Sequence, residues 1–438
     1  MHSNSPELAA PVAQSDRILI IDSLRGIALL GILMMNMPFF ALPYPVPDNP
    51  VLLNELGTIN EKAWYFINWF LEGSQRGLFS MLFGAGIILF ITRLEKRVPG
   101  MMPAEYFLRR QLWLLVFGLV NAFVLLWPGD ILFQYAVCGI IMFVFYRLPV
   151  KGLLIGAVVC LLLMTARENR DLYKYKSVIK KGELVEKMDT TKVKWNDQQK
   201  AEFGAMVGMR EKGDTASQRK EMEKNLRDVR GSYAAVYDNL SDVSVQIEMH
   251  YTYYMLWDVL LFMFLGMAFY KSGVLTGQAP AKVYWLLFIV GFGVGLFLSY
   301  YRLQPMIDAR FNRFLITKRS NFDFYELSRT FRSLGLFGLV MLLYKSGWFK
   351  WLFALVRPVG QMAFTNYLMQ SFLCAVIFFG VGFGMFGKLQ RYEIYYVVAA
   401  IWALEIIWSH IWLRYFRFGP LEWLWRSLTY WKRQPIKK

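Results

Sequence analysis

The chain has 438 residues, 56% hydrophobic, 17% aromatic and 18% charged, with a formal net charge of +17. A mean hydropathy of +0.33 excludes a disordered chain and ordinary soluble domains, and apolar runs interrupt the basic residues too often for a soluble nucleic-acid-binding fold. Cys138, Cys160 and Cys374 are odd in number and sit in apolar runs, so neither a disulfide framework nor a metal site is expected.

Residues 1–16 are polar, contain Pro6 and Pro11, and lack the basic start and small-residue cleavage site of a secretory signal, so the first apolar segment is expected to be retained. A hydrocarbon core about 30 Å thick needs about 20 apolar residues at about 1.5 Å rise per residue. Segments near 17–42, 75–92, 106–127, 130–146, 151–166, 251–270, 282–301, 327–345, 358–386 and 391–414 meet that need. The predicted fold is an all-α, polytopic membrane bundle of about ten transmembrane helices. It divides into an N-terminal membrane half (1–166), a helical extramembrane insertion (167–249), a C-terminal membrane half (250–415) and a basic interfacial tail (416–438).

Lysine and arginine in short loops resist translocation. With both termini cytoplasmic, nearly all of the +17 excess falls on the cytoplasmic face, and a multi-pass protein of the bacterial inner membrane is expected. Segment 302–332 is the exception: it is basic on the opposite face, where an anionic envelope substrate would meet it. The insertion carries both charges at helical spacing, such as Glu223 with Arg227, and reads either as a solvated cap or as a partner-binding domain.

Ionisable groups inside spans cost about 2.5–3.5 kcal/mol near the bilayer centre, so each is a candidate site residue. Asp22 and Arg25, three apart in IDSLRG, are either an interfacial pair or a site at which Arg25 meets the phosphates of an acyl donor or a lipid. Asn36 follows as an interhelical or cavity residue. Arg76 opens the second span, and Asp130 in WPGDIL caps the next helix or points inward to Arg76. Gln361, Thr365, Asn366 and Gln370 form a polar stripe that faces either a neighbouring helix or a substrate cavity, because lipid cannot satisfy its amides. Glu405 and Asp130 are the candidate catalytic carboxylates; Asp22, Arg25, Asn36, Arg76, Asn366 and Gln370 are the candidate substrate- or donor-binding residues. His250 reads as an aromatic-belt residue. Only two other histidines, His2 and His410, occur, so a histidine metal site is not expected.

RILIIDSLRGIALLGILMMN at 17–36, QRGLFSMLFGAGI at 75–87, GDILFQYAVCGI at 129–140, FRSLGLFGLVM at 331–341, GQMAFTNYLMQS at 360–371 and FRFGPLEWLWRSLTY at 416–430 resemble the YeiB family of bacterial membrane proteins, domain of unknown function 418. That family is similar to the transmembrane acyltransferase superfamily, which includes the lysosomal heparan-glucosaminide acetyltransferase. The shared opening is Asp22, Arg25 and Gly26, then Asn36 and a glycine-rich second span. The resemblance implies transfer of an acyl group from cytoplasmic acyl-CoA, as donor substrate with no bound cofactor, to an envelope glycan or lipid acceptor. Residues 43–74 hold no counterpart of the acetyltransferase's catalytic histidine, which leaves the base to a carboxylate. The tail segment with Glu422, Trp423, Trp425 and Arg426 is expected to anchor at the cytoplasmic interface or to help bind the donor. The alternative is a transporter or exporter of a small or lipid-like envelope substrate. The expected partners are the bilayer and the acceptor, with no nucleic acid; the sequence is compatible with an oligomer.

Overall fold

The computed structural model describes residues 18–188 and 194–438, and among them every regular element is helical. The polar N-terminal stretch, with Arg17 at the start of the first expected span, lies outside the described residues. The apolar helix α1 (Leu19–Ala41) leads through a polar loop to α2 (Ile59–Phe70), and the chain turns at Gly73, held at φ +73°, into α3 (Ser74–Glu95). Helices α4 (Met102–Phe123) and α5 (Leu132–Met142) form a hairpin. Helix α6 (Val150–Glu186) is continuous for 37 residues, so no break separates the fifth expected span from the insertion that follows.

The insertion continues as α7 (Asp197–Gly213), α8 (Thr215–Val229) and α9 (Tyr233–Val245). A π-helical turn (Gln246–Tyr251) and the short α10 (Thr252–Tyr254) join it to α11 (Leu256–Lys271) across a 59° bend. The rest of the bundle comprises α12 (Ala281–Asp308), α13 (Arg313–Arg319), α14 (Tyr325–Ser346), α15 (Lys350–Gln361), α16 (Ala363–Phe378), α17 (Ile394–Tyr415) and α18 (Pro420–Tyr430).

Five stretches among the described residues are long and apolar enough to cross a membrane, against the ten expected: α1, α2 to α3, α6, α12 and α17. A sixth arises if the bent pair formed by α9 to α10 and α11 is one span. The ten expected segments do fall on helices. The stretch from α5 to Phe145 and helix α16 are apolar but short, and α14 carries Glu326, Arg329 and Arg332 within its first turns. The segment expected from Pro358 onward is broken at Met362, so Gln361 ends α15 while Thr365, Asn366 and Gln370 lie on α16.

Burial separates inner from outer helices. The apolar window of α1 is 67% buried inside the protein, whereas those of α6 and α12 are 22% buried and leave most of their surface for lipid. Close crossings rely on glycine. A Cβ at Gly26 would strike the backbone of Val356, and one at Gly360 the carbonyl of Asp22, so α1 and α15 meet backbone to backbone beside Asp22. Facing glycines Gly291 and Gly335 do the same for α12 and α14.

The insertion is tied to the loops at one end of the bundle. Asn49 Nδ2 donates to Gln218 Oε1 at 2.6 Å, the Tyr44 N–H to Asn225 Oδ1 at 2.9 Å, and Arg230 Nε to the Phe386 carbonyl at 2.8 Å. Ser244 Oγ donates to the Ala122 carbonyl at 3.3 Å, which holds α9 to the end of α4.

Candidate functional site

A cavity of about 290 Å³ lies among α1, α3, α4, α5, α16 and α18. Its wall is aromatic and aliphatic, including Phe79, Phe83, Phe90 and Leu114, and Tyr135 and Tyr367 also line it. Five arginines, Arg25, Arg93, Arg97, Arg110 and Arg426, line it against two carboxylates, Asp22 and Glu422.

Both carboxylates are already engaged. Asp22 Oδ1 accepts from Arg25 Nη1 at 3.1 Å, and its other oxygen from Gln361 Nε2 at 3.4 Å. Glu422 Oε1 accepts the N–H groups of Phe364 and Thr365 at 2.7 and 3.0 Å, and Oε2 accepts the Thr365 hydroxyl. It thereby caps the first turn of α16, where exposed N–H groups favour an anion. Burial raises the pKa of Glu422, against the pull of the Thr365 hydrogen bonds. The tail helix is locked in place as Trp425 Nε1 donates to the Arg110 carbonyl at 2.9 Å and the Arg110 guanidinium stacks 3.6 Å from the Trp425 ring. The tail therefore forms a wall of the cavity.

A second group of buried charges lies where α3, α11 and α14 begin. Arg76 Nη2 donates to Asp258 Oδ2 at 2.7 Å. Arg329, fully buried, donates to the same oxygen at 2.9 Å through Nη1, and through Nη2 to Asp258 Oδ1 and to Glu326 Oε2, the latter at 2.8 Å. Arg332 Nη1 donates to the carbonyls of Asn68 and Trp69 at 3.0 and 3.1 Å, and Arg302 pairs with Glu72. Tyr135 joins the two regions: its hydroxyl is 2.6 Å from Ser80 Oγ and donates to the Arg76 carbonyl at 3.3 Å.

The expected site residues separate accordingly. Asp22 and Arg25 line the cavity; Asn36 is half-buried on α1 away from it. Arg76 belongs to the charge network. Asp130 accepts from Asn121 Nδ2 at 2.7 Å, from the Phe133 N–H at 2.9 Å and from the Tyr367 hydroxyl at 3.3 Å, so it caps α5 and does not pair with Arg76. Of the polar stripe, Gln361 lines the cavity, whereas Asn366 and Gln370 join helices and do not line it. Asn366 Nδ2 donates to Ser409 Oγ at 3.0 Å, Trp408 Nε1 to Asn366 Oδ1 at 2.7 Å, and Gln370 Nε2 to Glu405 Oε2 at 3.1 Å. These bonds bind α16 to α17, and Glu405 Oε1 has no hydrogen-bond partner among the described residues.

In the basic segment 302–332, besides the pairs above, Arg313 meets Asp48 at 3.4 Å and Lys318 meets Glu183 at 2.6 Å, while both cations stay partly exposed. Glu326, Arg329 and Arg332 are buried charges that a segment-by-segment sum of the sequence treats as loop charge. Their signal was available, since ionisable groups in a helix that runs on into an apolar stretch need partners. Among the described residues no cluster of three or more histidine, cysteine or acidic side chains could hold a metal ion.

An all-helical membrane protein with a cationic, aromatic-walled cavity at one end and a closed charge network towards the other is the class that these features define. Residues 269–432 match the family model described as Protein of unknown function (DUF418). The chain is 29% identical to the uncharacterized protein YxaH of Bacillus subtilis (strain 168), over 98% of each chain. It is 28% identical to the uncharacterized protein YeiB of Escherichia coli (strain K12), over 94% of this chain and 96% of that one. An uncharacterized 39.9 kDa protein in the amylase 3′ region of Bacillus acidopullulyticus is 26% identical over 97% of each. The family-model match and these nearly full-length similarities support a YeiB-like, DUF418 protein. No solved structure matches it.

Proposed function

We propose that the protein is a membrane-bound acyltransferase of the bacterial inner membrane, with both termini cytoplasmic, that takes an acyl group from cytoplasmic acyl-CoA and passes it to an envelope glycan or lipid. The observation that carries this reading is the lining of the cavity, where five arginines stand beside an aromatic and aliphatic wall. Guanidinium groups recognise phosphates through paired hydrogen bonds, so this lining suits a multiply charged ligand such as the phosphates of an acyl donor. The apolar wall suits the acyl chain. The resemblance of Asp22, Arg25 and Gly26 to the opening of transmembrane acyltransferases agrees with that placement.

Purified protein in lipid nanodiscs is expected to bind radiolabelled acyl-CoA and to transfer label to an envelope fraction. An absence of both binding and transfer would count decisively against the enzyme. Reporter fusions within 194–249 are expected to score outside the cytoplasm; a cytoplasmic score would invert the orientation.

A transporter is the second reading. It is favoured by the 59° bend before α11 and the break between α15 and α16, since transporters commonly build binding sites from discontinuous helices. Substrate flux into proteoliposomes, lost in Arg76→Ala and without acyl transfer, would decide for it.

A further inference from the structure

The lining of the cavity changes character along α3 and α4. On α3 it runs from Phe79 and Phe83 through Phe90 to Arg93, so Phe83 and Arg93 stand about 15 Å apart along the helix. On α4, Phe107, Arg110, Gln111 and Leu114 recur at i, i+3, i+4 and i+7, which puts all four on one face. Arg110 and Gln111 nevertheless reach different levels of α3. The Arg110 guanidinium lies 5.1 Å from the Phe90 ring, whereas a Cβ at Gly139 of α5 would meet both Gln111 Oε1, at 2.8 Å, and a ring carbon of Phe83, at 3.2 Å. Glycine at 139 thus makes room for the Gln111 carboxamide beside Phe83.

Gln111 is 1% exposed, and its Oε1 has no hydrogen-bond partner among the described residues. A buried amide oxygen without a donor is costly, so a cavity that keeps one is built to supply the donor from a ligand. Other polar groups on the same wall are already used: Gln361 donates to Asp22, Glu422 accepts from the first turn of α16, and Tyr135 and Tyr367 donate to the Arg76 carbonyl and to Asp130. The terminal torsion of a glutamine is broad, and rotation about it turns the oxygen towards the cavity. The missing partner is therefore an N–H or O–H donor at the level of Phe83, about 10–15 Å along α3 from the level of Phe90 and Arg93.

We propose that Gln111 Oε1 accepts the N–H of a pantetheine amide, the one nearest the sulfur, and so holds the arm of the acyl donor in the cavity. The inference rests on the acyltransferase reading and specifies the donor class as a phosphopantetheine thioester. In such a donor about ten bonds separate the phosphorus from the nitrogen of that amide. At the reach of an extended chain, about 3.6 Å per three bonds, this is about 12 Å. The same span separates Arg93 and Arg110, at the level of Phe90, from Gln111 at the level of Phe83. The sulfur follows within about 4 Å, which sets the thioester and the acyl chain against the aromatic face of Phe79 and Phe83. A glycerophospholipid fits less well, because its acyl esters lie within a few bonds of the phosphate and carry no N–H. Gln111 binds the arm and takes no part in bond making or breaking.

The test measures binding to the nanodisc-embedded full chain with two probes: labelled acyl-CoA, and an analogue in which that amide is an ester, so that the N–H is lost and the shape kept. Wild type should bind the amide probe about tenfold more tightly than the ester. Gln111→Met keeps the length of the side chain and removes the acceptor; it should bind the two probes alike, near the wild-type affinity for the ester. Equal wild-type affinities for the two probes would overturn the proposal and leave the acyltransferase standing, and this comparison needs no variant to fold. A Gln111→Met protein that binds both probes more weakly but keeps the tenfold preference would also overturn it, since Gln111 would then only shape the wall. Wild-type protein that binds neither probe would overturn the acyltransferase reading and the inference with it.

Discussion

The cavity and the charge network are both rich in arginine, yet they treat it in opposite ways. In the network, Arg76, Arg329 and Arg302 each meet a carboxylate, and Arg332 is held by two backbone carbonyls, so the charges close on one another. In the cavity five arginines stand along an apolar wall that leaves room for a ligand. A matched group of buried charges holds helices in register, because breaking it strands a charge, whereas arginines that line a cavity can also meet a bound anion. Residue type therefore does not tell structure from function here, and the surroundings of each group do.

That contrast can be broken at either end. The largest effect is expected from Arg329→Met, which leaves Asp258 and Glu326 without their buried partner and should cost about 3–5 kcal/mol, read as a large fall in thermal stability in nanodiscs. An unchanged unfolding temperature would mean that the network is not what holds α3, α11 and α14 together. Arg25→Gln should instead weaken donor binding about tenfold, equivalent to about 1.4 kcal/mol, with the loss shrinking at high salt. Stability should fall by less than about 1 kcal/mol, since Arg25 is part-exposed and has one ion-pair partner. Equal losses of stability in the two variants would erase the distinction. Glu422→Gln should cost about 1 kcal/mol through the weakened cap on α16, and should also loosen the cavity wall, visible as faster amide exchange at Phe364 and Thr365. The smallest effect is expected from Glu405→Gln. It keeps a partner for Gln370 and removes a buried charge with one unpartnered oxygen, so stability should stay level or rise, and transfer should persist. Loss of transfer in that variant would return Glu405 to the site.

Some of this was legible in the chain. The apolar segments, the charged insertion and Asp22 with Arg25 are local features, read from composition and i to i+3 spacing. Capping by Asp130 was legible too, because an acidic residue just before a helix has few other uses. Glu405 and the polar stripe were harder: their spacing shows that they face protein but not which protein surface, and the structure assigns them to the α16–α17 contact. In segment 302–332 net charge says nothing about partners 135 or 265 residues away, where Glu183 and Asp48 lie.

The sequence by itself determined the all-helical class, the family resemblance and the residues that needed partners, since these follow from hydropathy, spacing and motif. Tertiary structure alone decided which partners they found. It folded the tail helix over Arg110, set one arginine group against carboxylates and placed the other along a cavity. Those outcomes depend on helix crossings, which are not encoded in the spacing of residues along a single helix.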